Sequence, residues 1–143
     1  MIHYIITGHA NYATAMRSAI EAICGEQECL SYIDYDTTKP LEELKRQYLQ
    51  TVKQGEQYIF VCDLAGATPF TVSSMLFQDH QNVRVVAGIN LAAILEAIYI
   101  REDSLSEICK TMINATKTTA LCFKMNAERK KKKEQKEPAD GEA

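Results

Sequence analysis

The sequence lacks the features that mark several large functional classes. Basic residues are not in excess, since Lys plus Arg number 16 against 19 for Asp plus Glu, which gives a formal charge of −3. That balance gives no support for a nucleic-acid partner. No apolar run approaches the roughly 20 residues that span a bilayer. The first residues contain neither a basic leader nor a small-residue cleavage site, so we expect no secretory signal.

Cysteine and glycine also lack the spacings that bind metals or nucleotides. The cysteines number five, an odd count, and are scattered without a CxxC pair, at positions 24, 29, 62, 109 and 122. This usage fits reduced thiols in the cytoplasm better than a disulfide framework or a zinc site. The six glycines form neither G-x-x-x-x-G-K-S/T nor G-x-G-x-x-G. The sequence therefore predicts no nucleotide, no metal and no other cofactor.

The 143 residues divide once by composition. The first part is long and apolar enough for one hydrophobic core, with 46% hydrophobic residues over the whole chain. From Asn126 onward no aliphatic residue is larger than alanine, so this stretch cannot bury apolar area. We therefore predict a folded domain over residues 1–125 and a disordered charged tail over residues 126–143. Its four-lysine run at 130–133 indicates either a solvated tail, which we favour, or a patch for an acidic partner or RNA.

Short apolar segments alternate with helical patterns from the first residue. The strand candidates are rich in β-branched or aromatic residues and cover residues 2–7, 29–34, 58–63, 83–87 and 119–124. Helical spacing covers residues 12–24, 41–53, 70–78, 91–100 and 105–115. This alternation predicts an α/β fold, a three-layer sandwich around a mainly parallel sheet in the order 2-1-3-4. Two helices run back to back before residues 119–124, so we expect that last segment to be an antiparallel edge strand.

Two loops of this predicted sheet carry candidate functional residues. Ligands of an open parallel sheet bind beyond the carboxyl ends of its strands, and strands 1 and 3 are neighbours in the predicted order. His9 follows the first strand, after Gly8, which permits an unusual backbone conformation, and Asp63 ends the third. A carboxylate there could hold the proton of one ring nitrogen and leave the other nitrogen as a nucleophile. Taken separately, each residue has an ordinary interpretation, as a loop histidine and as a charge-balancing or helix-capping acid.

The second loop also fits an anion. Gly66, Ala67, Thr68 and Pro69 lead into a predicted helix, whose first N–H groups and dipole attract phosphate. Gly66 lets the backbone approach closely, and Thr68 is placed to cap the helix and to donate its hydroxyl. Any capped helix start shares these features, so the loop alone is weak support. A nucleophilic histidine, an orienting carboxylate and an anion cradle together are the parts that carry a phosphoryl group on a ring nitrogen.

The segments around these residues resemble one bacterial family. GHANYA after the first strand, DLAGATPFTVSS after the third and the segment VVAGINLAAILEA are similar to the mannose-type enzyme IIA of the phosphoenolpyruvate-dependent sugar phosphotransferase system. The resemblance covers roughly residues 1–124. It implies that His9 is the phosphorylated histidine and Asp63 its hydrogen-bonding carboxylate. It also implies that the Thr68 hydroxyl lies at the phosphate site, with Gly66 and Ala67 in the surrounding backbone cradle.

The resemblance also implies partners and an assembly. The chain is expected to be a cytoplasmic phosphotransferase component that accepts a phosphoryl group from the phosphorylated histidine carrier protein and passes it to an enzyme IIB. It would meet the membrane only through the permease complex and would form a homodimer that exchanges the strand at residues 119–124. The sugar stays open among mannose, fructose, sorbose and an amino sugar. Ala10 and Ala67 depart from the family pattern, in which glycine is common at these positions.

Two other functions remain open on the sequence. The phosphoryl-donor subunit of a dihydroxyacetone kinase shares the fold and the histidine. A receiver-like or flavodoxin-like binding module is less favoured, because a receiver needs acids after its first strand, where this chain has Gly8 and His9.

Overall fold

A computed structural model describes residues 1–101 and 104–124. In this part of the chain a four-stranded sheet has the order β2-β1-β3-β4, and every strand pair is parallel. The predicted α/β class and strand order are therefore confirmed. The elements are β1 (Ile2–His9), α1 (Tyr12–Cys24), β2 (Leu30–Tyr35), α2 (Leu41–Thr51), β3 (Gln57–Cys62), α3 (Thr68–Leu76), β4 (Val83–Ala87), α4 (Leu91–Ala97) and α5 (Leu105–Thr119).

Helices cover both faces of the sheet, because the two central strands are apolar on both sides. Successive strand residues point to opposite faces, so Ile6 and Val61 join one core cluster while Ile5 and Phe60 join the other. The first cluster contains residues of α1, α4 and α5, and the second contains residues of α2 and α3. The result is the predicted three-layer sandwich. Each helix in the described part of the chain is too short or too polar to cross a bilayer.

The first strand runs further than its apolar pattern indicates. β1 continues through Gly8 and His9, which pair in register with Asp34 and Tyr35 of β2. His9 is therefore the last residue of a paired strand rather than part of a loop. This placement restricts its backbone and makes its position depend on the sheet.

The segment at residues 119–124 differs most from its prediction. Thr119 is the last residue of α5, residues 120–122 lie in neither helix nor strand, and residues 123–124 are helical. The hydroxyls of Thr118 and Thr119 donate to the carbonyl of Ala115, so these β-branched residues are held in the helix. An edge strand also needs a neighbouring strand to bond, and this chain alone forms none here. Exchange between subunits stays a prediction, and the predicted tail at 126–143 lies outside the described residues.

A buried pair of hydroxyls ties the end of β1 to α2. Thr7 and Tyr48 are both fully buried, and their hydroxyl oxygens lie 2.6 Å apart. The Tyr48 ring also meets the edge of Phe60, with ring centroids 5.0 Å apart. Buried polar groups are stable only when each has a partner, so this bond holds the strand in place two residues before His9.

Removing one of these hydroxyls should lower the free energy of unfolding more than removing both. In Tyr48→Phe the Thr7 hydroxyl loses its only side-chain partner among the described residues, and we expect the free energy of unfolding to fall by about 1–3 kcal/mol. In Thr7→Val/Tyr48→Phe no polar group is left unpaired, so the loss should be smaller than in the single variant. Urea denaturation followed by circular dichroism measures both. A double variant less stable than Tyr48→Phe would contradict this account.

Candidate functional site

His9 and Asp63 meet at the carboxyl end of the sheet because β1 and β3 are parallel neighbours. Thr7 pairs with Cys62 in register, which brings the residues that follow each of them to one edge. Asp63 Oδ2 lies 2.7 Å from His9 Nδ1 and accepts the His9 backbone N–H at 2.9 Å. Asp63 Oδ1 accepts the N–H of Leu64 at 2.9 Å. The structure therefore brings together the histidine and carboxylate singled out from the sequence.

The surroundings of Asp63 keep it ionised. Burial acts to raise the pKa of its carboxyl, but the hydrogen bonds from the backbone and ring of His9 and from Leu64 outweigh burial, so the net pKa is below its usual range. An ionised carboxylate can only accept hydrogen bonds. His9 Nδ1 must then carry the proton of this bond, and in the neutral ring the lone pair is on Nε2.

Exposure differs between the two partners of this pair. The Asp63 side chain is 12% exposed and the His9 side chain 38%. The acid is thus largely withdrawn from water while the ring can be reached from outside. Tyr35 limits the ring from another side, because its own ring meets His9 edge-on with centroids 5.5 Å apart at 66°. Tyr35 is not among the residues predicted from the sequence, because it reaches His9 only through its register opposite it in the sheet.

Gly8 is required for space rather than for an unusual backbone conformation. A Cβ at Gly8 would lie 2.5 Å from Tyr12 Cδ1 and 2.8 Å from Asp63 Cγ, closer than real contacts allow. The left-handed conformation occurs instead at Ala10, with φ of 51°. The N–H of Ala10 donates to the Tyr35 carbonyl at 2.9 Å, so the turn after His9 is tied to β2. The expectation for Gly8 was therefore wrong, because a paired strand residue keeps extended backbone.

The loop after β3 leads into α3 as predicted, with one correction. Ala67 is the N-cap of α3, without a side-chain cap bond, and Thr68 is its first residue. The Thr68 hydroxyl therefore does not cap the helix, and it has no hydrogen-bond partner within residues 1–101 and 104–124. Gly66 has φ of 78°, which favours glycine. The first N–H groups of α3 have no intrahelical acceptors, so Gly66, Ala67 and Thr68 line a start of helix that can receive an anion.

The pair lies beside a cavity, not inside one. A cavity of about 760 Å³ opens between the carboxyl end of β2 and α2, and Ala10 and Tyr35 line it, but His9 and Asp63 do not. Within the described part of the chain, no group of three or more His, Cys, Asp and Glu side chains could hold a metal ion.

Comparison with protein families gives a match over most of the chain. A family model described as "PTS system fructose IIA component" matches residues 3–114. The fructose-specific EIIA component of Bacillus subtilis is 28% identical over 105 residues, which cover 71% of this chain and 72% of that protein. The sorbose-specific EIIA component of Lacticaseibacillus casei is 28% identical over 131 residues, covering 88% and 95%.

Solved structures agree with these sequence matches. The crystal structure of a phosphotransferase system EIIA from Streptococcus agalactiae has a TM-score of 0.81 and 26% identity, and covers 87% of this chain and 99% of that one. The mannose-specific EIIAB component of Escherichia coli is longer, and the match covers 32% of its length. These comparisons give no support to the dihydroxyacetone kinase alternative.

The Asp63 carboxylate should make stability depend on pH in the acid range. Its pKa is lowered in the folded protein, so the unfolded chain binds the proton more readily. The stability that the charged carboxylate contributes is complete above its usual pKa of about 4 and is lost as pH falls below that value. The difference in unfolding free energy between wild type and Asp63→Asn should therefore shrink from about pH 5 to about pH 3. Urea unfolding across this range measures it, and a constant difference would contradict the assignment.

Proposed function

Since the chain belongs to the family described as PTS system fructose IIA component, and is a phosphocarrier of the sugar phosphotransferase system, we propose that His9 carries the phosphoryl group. The donor is the phosphorylated histidine carrier protein and the acceptor is an enzyme IIB. The observation that carries this proposal is the 2.7 Å contact between His9 Nδ1 and Asp63 Oδ2, on a ring whose side chain is 38% exposed.

The nucleophile in this proposal is Nε2 of His9. Its lone pair attacks the phosphorus while the bond from phosphorus to the donor's ring nitrogen breaks, and that electron pair stays on the donor. The Nδ1 proton does not leave, because Asp63 holds it. The negative charge of the Asp63 carboxylate balances the positive charge that the ring gains on phosphorylation. In the second transfer the nucleophile of the acceptor protein attacks the phosphorus and the bond from phosphorus to Nε2 breaks. That electron pair stays on Nε2, so His9 returns to its starting state.

Phosphoryl transfer depends mainly on positioning and on stabilising charge over the three outer oxygens of the phosphoryl group. In our proposal the backbone at Gly66 and Ala67, the start of α3 and the Thr68 hydroxyl bind these oxygens. Two properties of the loop support this assignment: Gly66 has a positive φ, and Thr68 is the first residue of α3, next to its N-cap Ala67.

We also propose a cytoplasmic location and a homodimer. A carrier that takes its group from one soluble protein and gives it to another must be where both are, and it meets the membrane only through the permease complex. The apolar side chains of Leu121 and Phe123 are 66% and 87% exposed. Exchange of residues 119–124 with a second copy would cover them by pairing along the open edge of β4, and it requires Thr119 and residues 123–124 to leave the helical conformation they have here.

The proposal for His9 is tested by labelling. Incubation with radioactive phosphoenolpyruvate, enzyme I and the histidine carrier protein should label wild type, and His9→Ala should fall to background. His80→Ala is the matched control, because His80 lies in the turn between α3 and β4 and contacts Phe77 rather than the site. The label should be acid-labile and alkali-stable, and phosphorus NMR should identify the Nε2 isomer. Undiminished label in His9→Ala, or the Nδ1 isomer, would refute the assignment.

The role of Thr68 is tested by keeping its shape while removing its hydroxyl. Thr68→Val should slow phosphoryl transfer to the protein by about 100-fold, the size of effect seen when one oxyanion donor is lost. Thr68→Ser retains the hydroxyl and should stay within a few fold of wild type. Rapid-quench measurement of the labelling rate distinguishes them. Equal rates for Thr68→Val and Thr68→Ser would remove the hydroxyl from the mechanism.

A further inference from the structure

The ring of Tyr12 and the carboxyl of Asp63 share the space that Gly8 leaves empty. The position of a Cβ on Gly8 is 2.5 Å from Tyr12 Cδ1, 2.7 Å from Tyr12 Cγ and 2.8 Å from Asp63 Cγ. Both side chains thus approach the same point above the β1 backbone. Tyr12 is the first residue of α1, three residues after His9. The ring of Tyr12 therefore lies beside the same carboxylate that accepts hydrogen bonds from His9.

The ring is held there by the core as well as by the strand. Tyr12 packs against the cluster that α1, α4 and α5 form on one face of the sheet. Burial raises the pKa of the Tyr12 hydroxyl, and the charge of Asp63 raises it further. The packing against this cluster and the shared space above Gly8 leave the phenol partly withdrawn from water and close to the carboxylate.

An aromatic ring beside a charged pair changes how strongly that pair interacts. It excludes water from one side of the carboxylate and lowers the effective dielectric, so the attraction between Asp63 and the Nδ1–H of His9 is stronger than at an open surface. The exposures agree, with Asp63 at 12% and His9 at 38%. The carboxylate is thus largely shielded from water, while the His9 ring stays accessible.

We propose that Tyr12 is a positioning residue for His9, acting through Asp63: its ring fills the space above Gly8 and shields the carboxylate that holds the Nδ1 proton. This inference rests on the proposed role of His9 as phosphoryl acceptor. It assigns to Gly8 and Tyr12 a joint role, since a larger residue at position 8 would displace the ring and the carboxylate together.

The test reads the Nδ1 proton directly in the unphosphorylated protein. Nitrogen-15 NMR gives the tautomer of His9 and the rate at which its Nδ1 proton exchanges with water. In Tyr12→Ala we expect exchange to accelerate by about tenfold or more, with a larger share of the Nε2–H tautomer. Tyr12→Phe keeps the ring and should match wild type. Tyr99→Ala is the control for loss of an aromatic ring, since Tyr99 lies two residues after the end of α4 and is 64% exposed.

Labelling from the histidine carrier protein completes the test. Tyr12→Ala should accept the phosphoryl group about tenfold more slowly, through the loss of a tautomer and orientation that favour Nε2, while Tyr12→Phe and Tyr99→Ala keep the wild-type rate. Tyr12→Leu serves if Tyr12→Ala does not fold, because leucine supports the core but is smaller than the ring and fills less of the space above Gly8, so a smaller change in the same direction is expected.

Two results would overturn the role of Tyr12. One is an unchanged proton exchange rate and tautomer in the folded variant that lacks the ring. The other is an equal change in Tyr12→Phe, which would assign the effect to the hydroxyl. Failure of the proposed function would give a different pattern. Tyr12→Ala would still accelerate exchange of the Nδ1 proton relative to wild type, but His9 would take no label even in wild type.

Discussion

One carboxylate oxygen connects the fold of this protein to its chemistry. Asp63 Oδ2 accepts the backbone N–H of His9 at 2.9 Å and lies 2.7 Å from Nδ1 of the same residue. The backbone bond fixes where the histidine lies, and the ring bond fixes how its imidazole is turned. Both bonds require that β1 and β3 end side by side, which parallel pairing in the order β2-β1-β3-β4 provides. The position and the orientation of the proposed nucleophile therefore depend on one side chain.

The charge on Asp63 determines what the histidine can do. Hydrogen bonds donated by His9 and Leu64 lower the pKa of the Asp63 carboxyl and outweigh the effect of burial. The carboxylate is therefore ionised, so it accepts a hydrogen bond from the ring and does not donate one. That leaves Nε2 as the nitrogen with a lone pair in the neutral ring. The Thr7–Tyr48 bond holds β1 two residues before His9, and the ring of Tyr35 contacts the imidazole edge-on. The fold thus supplies orientation, while the carboxylate supplies the protonation state.

The parts of this arrangement that follow local patterns could be predicted from the sequence. Alternation of apolar strands and helices indicated the sheet order, and strand ends indicated His9 and Asp63. Contacts between distant parts of the chain could not be predicted this way. Tyr35 contacts His9 because the two residues are paired in the sheet, and position 8 needs glycine because Tyr12 and Asp63 occupy the space that a Cβ would fill. The threonines before Ala120 fit a strand by composition, but their hydroxyls bond to helix carbonyls. Thr68 has a capping side chain, yet Ala67 occupies the N-cap position.

A phosphocarrier has to release what it accepts, and this geometry suits that requirement. Asp63 bonds to the Nδ1 side of the ring before transfer and can keep that bond afterwards, so it orients the ring without binding the phosphorylated state alone. In the proposed mechanism the bond orients the ring in both states, while the negative charge of Asp63 adds stabilisation to the positively charged, phosphorylated ring. The cavity of about 760 Å³ is lined by Ala10 and Tyr35, next to the pair, and not by His9 or Asp63. In the proposed mechanism, donor and acceptor proteins would approach in turn the His9 ring, whose side chain is 38% exposed.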